Sequence, residues 1–523
     1  MTGERRSIYL TTPIYYVNDK PHIGHAYTSL AADVLARWHR MSGHDVHFLT
    51  GTDEHGQKVE KAAEARGMDP QLFTDTVSQS FRELAVRMNY SNDDFIRTSE
   101  ERHKRACAAL WQRLEANGEI YLGHYEGWYA VRDEAFYGPD EIMEKDGQKF
   151  APTGAPVEWV REPSYFFRLS QWQEKLLAFY EANPDFIAPQ TRRNEVMSFV
   201  KSGLTDLSIS RTSFKWGVKV PGDEAHVMYV WLDALTNYIT ALGYPSETEA
   251  LWRFWPADVH FVGKDILRFH AIYWPAFLMA AGLPTPRRVF AHGWWTNEGQ
   301  KISKSLGNVI DPLALIDEFG LDPVRFFLLR EVPFGQDGDF QRKALVGRLN
   351  GELADALGNL ANRTLSLIQR NCEGTLPAPV AAPTEADTAF LTATGHADAA
   401  GSPAWLVEKV DALLNEQKFD AALTLIFTSI REANGYITRE QPWALKKTDL
   451  ARMRDVLRHL HDALRVFATV LRPFMPETME KLLDQLAVPA GARDLAALTT
   501  PLPEGVALPP PSPLFQKIQD AAA

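Results

Sequence analysis

The stretch from Ser7 to Asp53 constrains the fold more than any other. Ser7-Ile8-Tyr9-Leu10-Thr11-Thr12 is apolar and β-branched and stops at Pro13, the pattern of a buried strand. Asn18-Asp19-Lys20-Pro21 reads as a turn, and Ile23 to Arg40 as a helix. Asp45 to Thr50 is a second strand, leading through Gly51-Thr52-Asp53 into another helix. Strand–helix–strand–helix alternation predicts a parallel α/β sheet, whose ligands sit beyond the C-terminal ends of the strands. With 523 residues and roughly 150 per domain, the chain has room for about three or four such units.

From about Ile120 to Gly222 the texture changes. Aromatics crowd Tyr121 to Tyr137, turn residues fill Gly138 to Pro156, and β-type runs are short, which predicts an inserted α+β unit. The α/β pattern resumes at Val227, includes Val259-His260-Phe261-Val262-Gly263 and ends near Phe290-Ala291-His292. Beyond Asp311 the period is almost entirely helical, apart from a Pro/Ala/Thr-rich stretch from Leu376 to Pro403 and a Pro-rich tail, Pro501 to Pro513.

Composition narrows the class further. Charged residues at 23% and apolar residues at 45% exclude a disordered or fibrous chain. No run approaches 18 consecutive apolar residues and no signal peptide is visible, so no membrane association and a cytoplasmic location are expected. Two cysteines, Cys107 and Cys372, exclude a disulfide framework and a cysteine zinc cluster. The net charge of −12 argues against a protein coated in positive charge, but binding to nucleic acid follows the local pattern.

Two segments carry chemistry. In Pro21-His22-Ile23-Gly24-His25 the histidines are three residues apart, on one face of a starting helix and beside its unpaired backbone N–H groups. Such a terminus favours anions, two imidazoles add donors for phosphate oxygens, and Gly24 leaves room for a flat ligand against the backbone. The same residues could instead be a helix start with partly buried histidines, or a metal-binding H-x-x-H without an obvious completing ligand. The second segment is Lys301-Ile302-Ser303-Lys304-Ser305, between turn-forming Asn297-Glu298-Gly299 and Asp311-Pro312. Two lysines on a short loop can neutralise charge developing on a departing pyrophosphate, or can be ordinary solvated surface. Trp231, Ala234, Leu235 and Tyr238 repeat at i, i+3, i+4, i+7 and give one apolar helix face, while Ile266 and His270 share another.

Together the two segments resemble the HIGH and KMSKS signatures of class I aminoacyl-tRNA synthetases, with Ile302 in place of Met. Thr12 to Asn18, Gly51 to Gly56, Val230 to Leu235, Gly263 to Ile266 and Ala291 to Trp294 resemble the methionyl-tRNA synthetase family in particular, over about residues 7 to 475. The resemblance implies an α/β, Rossmann-type catalytic domain split by a connective insertion, followed by an α-helical anticodon-binding bundle. The expected boundaries are 1–119 and 226–292 for the catalytic halves, 120–225 for the insertion, 293–355 for a small linking domain with the lysine loop, and 356–523 for the bundle.

It also implies attachment of L-methionine to tRNA(Met), initiator included, through methionyl-adenylate formed from ATP with Mg2+. His22, His25, Lys301, Lys304 and Arg211 would be catalytic, and His22, Gly24, His25, Gly263, Asp265 and Lys304 would hold ATP. Methionine would lie among Ile14, Tyr16, Asp53, Trp231, Ala234, Leu235, Tyr238, Ile266 and His270, with Asp53 on its α-ammonium group. A flexible thioether suits such an aromatic wall. Asn359 and Arg363, four apart on one helix face, with Trp443 after Gln441-Pro442, match the positions that read the anticodon. Lys446, Lys447, Arg452, Arg454 and Arg458 could add positive charge there, or form an exposed helix face.

Relatives carry zinc knuckles built from C-x-x-C pairs. Here Ala130 and Asp133 hold the first pair's positions, and Phe150 and Thr153 loosely the second, so no structural zinc is expected. The chain ends soon after the helical region, and a monomer is expected. The rival readings are another class I synthetase for an apolar amino acid, which would usually carry a larger insertion, and a non-catalytic RNA-binding relative.

Overall fold

The computed structural model describes residues 5–17, 19–302, 307–395 and 405–519. Two compact units form: one holds Ser7–Ala32 and Val46–His292, the other Asp33–Asp45 and the residues from Gly293 onward.

The first unit is built on a parallel sheet. Strands β1 (Ser7–Thr11) and β2 (Tyr15–Tyr16) precede helix α1 (Ile23–Met41), then come β3 (Asp45–Asp53), β4 (Asp94–Arg97) and α2 (Glu101–Ala116). Two long strands, β5 (Ile120–Ala130) and β6 (Glu158–Phe167), form an antiparallel ribbon. After them come β7 (Ile187–Ala188), helix α3 (Val230–Thr240), β8 (Val259–Gly263) and β9 (Val289–His292). The sheet order is β7-β9-β8-β1-β3-β2, with β4 also on β3. The chain leaves β1 towards β3 and later returns to β8 on its other side. The crevice beyond the ends of β1 and β8 is therefore the topological switch point where such sheets bind ligands.

The strand predicted over Asp45–Thr50 runs on to Asp53, whose register partner is Tyr16. The apolar stripe predicted for α3 is only part of the helix's burial. All eleven of its residues are buried, because α2 packs along it, Tyr9 of β1 and His260 of β8 meet Tyr238 from the sheet side, and Trp231 and Leu235 belong to the main core. The 120–222 segment is not wholly separate either. Its strand β7 extends the main sheet beside β9, and Leu176, Tyr180, Phe186, Val196 and Val200 belong to the same core as Trp231 and Leu235.

The tip of the ribbon, around Ala130, Asp133 and Thr153, is held by packing and hydrogen bonds. Ala130, Ala151 and Ala155 pack as a small core against Tyr137 and Val157. The Asp133 carboxylate accepts hydrogen bonds from Thr153 Oγ1 and, at 3.0 Å, from Tyr137 Oη, while Arg132 donates to the Thr153 carbonyl at 2.8 Å.

In the second unit a three-strand sheet is formed by Trp295–Asn297, Gln300–Lys301 and Gly338–Phe340, with helices Pro312–Phe319 and Leu321–Arg330 between its last two strands in the chain. Among the described helices are α4 (Asn359–Asn371), α5 (Phe419–Glu440), α6 (Leu450–Leu471) and α7 (Pro476–Gln485), and α5 and α6 bury long apolar faces against each other and their neighbours. One ion pair is fully enclosed: Arg325 Nη2 lies 2.7 Å from Asp33 Oδ2 and also donates to the Pro473 carbonyl. No described helix is long and apolar enough to cross a membrane.

Candidate active site and anticodon face

At the start of α1 the two histidines form a pair, their ring centroids 3.9 Å apart. The backbone N–H of Gly24 donates to His22 Nδ1 at 3.1 Å, and that of His22 to His25 Nδ1 at 3.0 Å. An Nδ1 that accepts cannot carry a proton, so both rings are neutral tautomers offering Nε2–H as donor. The sequence placed these imidazoles beside unpaired backbone N–H groups; the structure uses two such groups to fix the tautomers. Gly24 has a second reason to lack a side chain, since a Cβ there would stand 2.9 Å from His22 Cε1. Tyr15 and Phe81 meet the His25 ring edge to face and fix its plane.

His292, at the end of β9, approaches α1 through a 2.7 Å contact of its Nε2 with Thr28 Oγ1. At the end of β8, Gly263 stands so close to Asp265 that a Cβ would be 2.5 Å from Asp265 Oδ1 and 3.9 Å from His292 Cε1. Gly263, Asp265, His292 and the α1 terminus therefore gather at the switch point. Thr28 does not stand out in the sequence, and although His292 lies in the resembling Ala291–Trp294 segment, their pairing across 264 residues comes only from the structure.

The methionine-binding candidates come together in one core. Trp231, Ala234, Leu235, Tyr238 and His270 are buried, with Ile14, Tyr16 and Ile266 partly buried against them. Trp231 stacks flat on Phe269 with centroids 3.7 Å apart and meets Tyr16 edge to face at 6.5 Å. Phe269 was missed because it lies outside both helical stripes. His270 Nδ1 is 2.9 Å from the Ile266 carbonyl, which can only accept, so the proton is on Nδ1 and Nε2 accepts from Tyr238 Oη at 2.7 Å. Burial pulls His270 down to about 4, so it is neutral at physiological pH.

Among the described residues, three buried polar atoms at this wall find no hydrogen-bond partner: Asp53 Oδ1, Tyr16 Oη and Trp231 Nε1. An unpaired buried carboxylate oxygen is costly, and native proteins keep one where a ligand completes it. Burial, then the charges of Asp233 and Glu134, hold the Asp53 carboxyl well above the usual carboxylate range. Glu134 is another residue the sequence does not advertise. It accepts from the Lys58 backbone N–H at 2.9 Å and from Tyr129 Oη.

Beneath Asp53, Asp233 is bracketed by His55 Nδ1 and His103 Nε2, each at 2.7 Å. Against the penalty of burial, those two histidines hold it well below the usual carboxylate range. His103, Cys107 and Asp233 are the group among the described residues whose donor atoms lie close enough to hold a metal. At 2.7 Å the imidazole–carboxylate pair is at hydrogen-bond separation, shorter than two ligands of one tetrahedral ion stand apart.

Arg211 is buried, not on the surface. Its Nε is held by Glu162, its guanidinium carbon lies 4.0 Å from the Tyr129 ring centroid, and Nη1 has no hydrogen-bond partner. In the second unit, Lys301 is exposed on the short strand that opens the lysine loop, with Nζ 5.8 Å from the Trp294 ring centroid. The base of that loop is tied: Asn297 Nδ2 donates to the Asn308 carbonyl at 2.9 Å, and Asn308 Nδ2 to the Lys301 carbonyl at 3.1 Å. Lys304 lies outside the described residues.

On the helical bundle, Arg363 places its guanidinium carbon 5.3 Å from the Trp443 ring centroid, and Trp443 is 39% exposed. Gln441, at φ 49°, turns the chain so that Pro442 is buried and the indole faces outward. Asn359 is exposed one turn before Arg363. Of the five basic residues that could flank Trp443, Arg452 is bound bidentately to Asp387 at 2.6 and 2.7 Å. Arg458 is fully buried, donating to the Pro377 and Leu502 carbonyls. These two staple the bundle, leaving Lys446, Lys447 and Arg454 exposed. Sequence periodicity could not distinguish the two sets because the Pro-rich tail covers part of the helix face.

A doubly wound parallel sheet with a paired-histidine helix start at its switch point and a helical bundle after it is the architecture of a class I aminoacyl-tRNA synthetase. Residues 8–365 match the family described as "tRNA synthetases class I (M)", and residues 407–523 the "Anticodon binding domain of methionyl tRNA ligase". The chain is 59% identical over 480 residues to a methionine–tRNA ligase of Rickettsia bellii, covering 92% of each chain. It is 55% identical over 519 residues to that of Brucella suis, covering 99% of each. A Mycobacterium tuberculosis methionyl-tRNA synthetase bound by methionyl-adenylate superposes with a TM-score of 0.94 at 48% identity, covering 98% of this chain and 100% of that one. The chain belongs to the methionyl-tRNA synthetase family.

Proposed function

We propose that the chain joins L-methionine to tRNA(Met), initiator and elongator, in two steps. The methionine carboxylate attacks the α-phosphorus of ATP in line, giving methionyl-adenylate and pyrophosphate. The 3′-terminal ribose hydroxyl of the tRNA then attacks the acyl carbonyl and releases AMP. The observation that carries this reading is the unpaired Asp53 Oδ1 at an aromatic wall of Tyr16 and Trp231. It suits an amino acid with a cationic α-ammonium group and an uncharged, polarisable side chain.

The work of such a site is positioning and charge stabilisation. His22 and His25 donate Nε2–H to ATP phosphate oxygens, and Gly24 and Gly263 let the nucleotide approach the backbone. Asp265 accepts from the ribose, and Arg211 lies towards the reacting carboxylate. Lys301 and Lys304 stabilise the charge that develops as pyrophosphate departs. Ile14, Ala234, Leu235, Tyr238, Ile266 and His270 complete the side-chain pocket, whose neutral His270 is compatible with a thioether. ATP is used with Mg2+, and no structural zinc is required. Asn359, Arg363 and Trp443 read the CAU anticodon. The enzyme acts as a cytoplasmic monomer.

ATP–pyrophosphate exchange without tRNA, run with each of the twenty amino acids, tests the reading. Exchange with methionine alone is expected. Exchange with leucine or valine instead would keep the class and move the pocket, and no exchange at all would overturn the reading.

A further inference from the structure

The Pro-rich C-terminal tail reaches the anticodon helix as a strap. The Ser512 backbone N–H donates to Gln485 Oε1 at 3.0 Å, fixing one end on α7. Further along, the backbone of Ile518 is gripped from both sides by the Asn350 amide, N–H to Oδ1 and carbonyl to Nδ2, each at 2.9 Å. Between them, the Phe515 ring lies over Gly358, 3.8 Å from where a Cβ would be. Lys517 Nζ lies 2.7 Å from Asp355 Oδ1. That same oxygen accepts from Asn359 Nδ2 at 3.2 Å. Asp355 and Asn359 are one helical turn apart, so a residue of the tail and a residue of the anticodon-reading face share one acceptor atom.

A carboxylate only accepts, so Asn359 must turn its NH2 group towards Asp355 and its carbonyl outward. We infer that Lys517, by holding Asp355, is a positioning residue for anticodon recognition: the strap fixes Asn359 with its carbonyl presented, so that it selects a base edge carrying an amino group. Without the ammonium the Asp355 carboxylate is free to rotate away from Asn359, and the amide, released from the contact that orients it, can flip and offer a base either its carbonyl or its NH2 group. The strap thereby contributes to which anticodon is charged, without itself touching a base.

This rests on the reading that Asn359 contacts the anticodon, and the experiment separates the two. Aminoacylation kcat/KM is measured for tRNA(Met) and for transcripts with single anticodon substitutions, using the intact chain and the variants Lys517→Ala, Lys517→Arg and Asn359→Ala. ATP–pyrophosphate exchange without tRNA and Tm serve as controls. Lys517→Ala is expected to lower the ratio of kcat/KM for CAU over substituted anticodons about five- to tenfold, with exchange and Tm unchanged, and Lys517→Arg to restore it. An unchanged ratio in Lys517→Ala, while Asn359→Ala loses discrimination, overturns the role of the strap. If Asn359→Ala also discriminates normally, the underlying reading of Asn359 falls. A uniform loss on every tRNA in Lys517→Ala would mean a simple phosphate contact and also overturns the positioning role.

Discussion

At the scale of single residues, the site is a set of groups whose protonation the fold has decided. His22 and His25 are locked as Nε2–H donors by two backbone N–H groups, and His270 as an Nε2 acceptor by the Ile266 carbonyl. Asp53 is the exception, a carboxyl whose pKa is raised by burial and by Asp233 and Glu134. An arriving cation stabilises its charged form. Methionine affinity is therefore expected to rise with pH through that raised pKa, and binding below it to release a proton. Calorimetry in buffers of different ionisation enthalpy would detect the release. The sign for stability is opposite: the folded state holds the proton more tightly than the unfolded chain, so the ligand-free enzyme loses stability as pH rises from the ordinary carboxylate value towards the raised one. Asp53→Asn should abolish both dependences and raise the KM for methionine at least 100-fold, a loss of about 2.7 kcal/mol, at nearly constant KM for ATP. Equal methionine KM values in the variant and the intact enzyme would remove Asp53 from the pocket. Asp53 could be picked out in the sequence through the resemblance carried by Gly51 to Gly56; that it ends a strand comes from the structure. Glu134 and Phe269 could not, because their burial is produced by the ribbon and by a short helix without a stripe of its own.

Elements show how local pattern and long-range packing divide the work. The helix from Ile23 and the strand from Asp45 were legible because each carries its own period and its own punctuation. The two-residue strand Ile187–Ala188 was not, since nothing so short has a period, and it exists only because β9 offers a free edge. At the ribbon tip, Asp133, Thr153 and the Ala130–Ala151–Ala155 core hold the turns together. Exhaustive chelation followed by dialysis and restoration of Mg2+ alone should therefore leave Tm and ATP–pyrophosphate exchange unchanged, and elemental analysis of purified protein should find less than stoichiometric zinc. Asp33 and Arg325 make a different kind of joint, an ion pair with both side chains wholly enclosed. Removing one partner strands the other, so Arg325→Ala is expected to cost about 3 kcal/mol of stability, less any relief from Arg37, which also binds Asp33. Denaturant midpoints measure that cost, and a change under about 0.5 kcal/mol would mean that Asp33 is adequately paired without Arg325.

For the molecule as a whole, the residues proposed for chemistry and those proposed for reading lie largely in different units. The adenylate-forming candidates lie largely in residues 7–32 and 46–292, and the exposed Trp443 with Arg363 and Asn359 in the other unit. Damage to the reading face should therefore leave the first step alone. Trp443→Ala is expected to lower aminoacylation kcat/KM about 10–100-fold, the loss of a stacking contact of about 1–3 kcal/mol, while tRNA-independent exchange is unchanged. Parallel loss of both activities would mean that the indole supports the fold instead. In sedimentation the protein is expected to run as one 58.9 kDa chain.

The sequence by itself determined the class of fold and the chemistry it serves. Strand and helix periods are local properties, and the paired histidines and Asp53 occupy places in the chain, at a helix start and after a strand, that a parallel sheet turns into a ligand crevice. Only the tertiary structure decided which polar groups the site leaves open and which it consumes. Asp53 and Arg211 keep buried atoms unpaired, whereas Arg452 and Arg458 spend their charge within the bundle and Lys517 reaches back to Asp355. The physical reason is distance along the chain. A hydrogen bond between residues more than 150 positions apart leaves no trace in local period or composition, and it forms only when packing brings both ends to the same few ångströms.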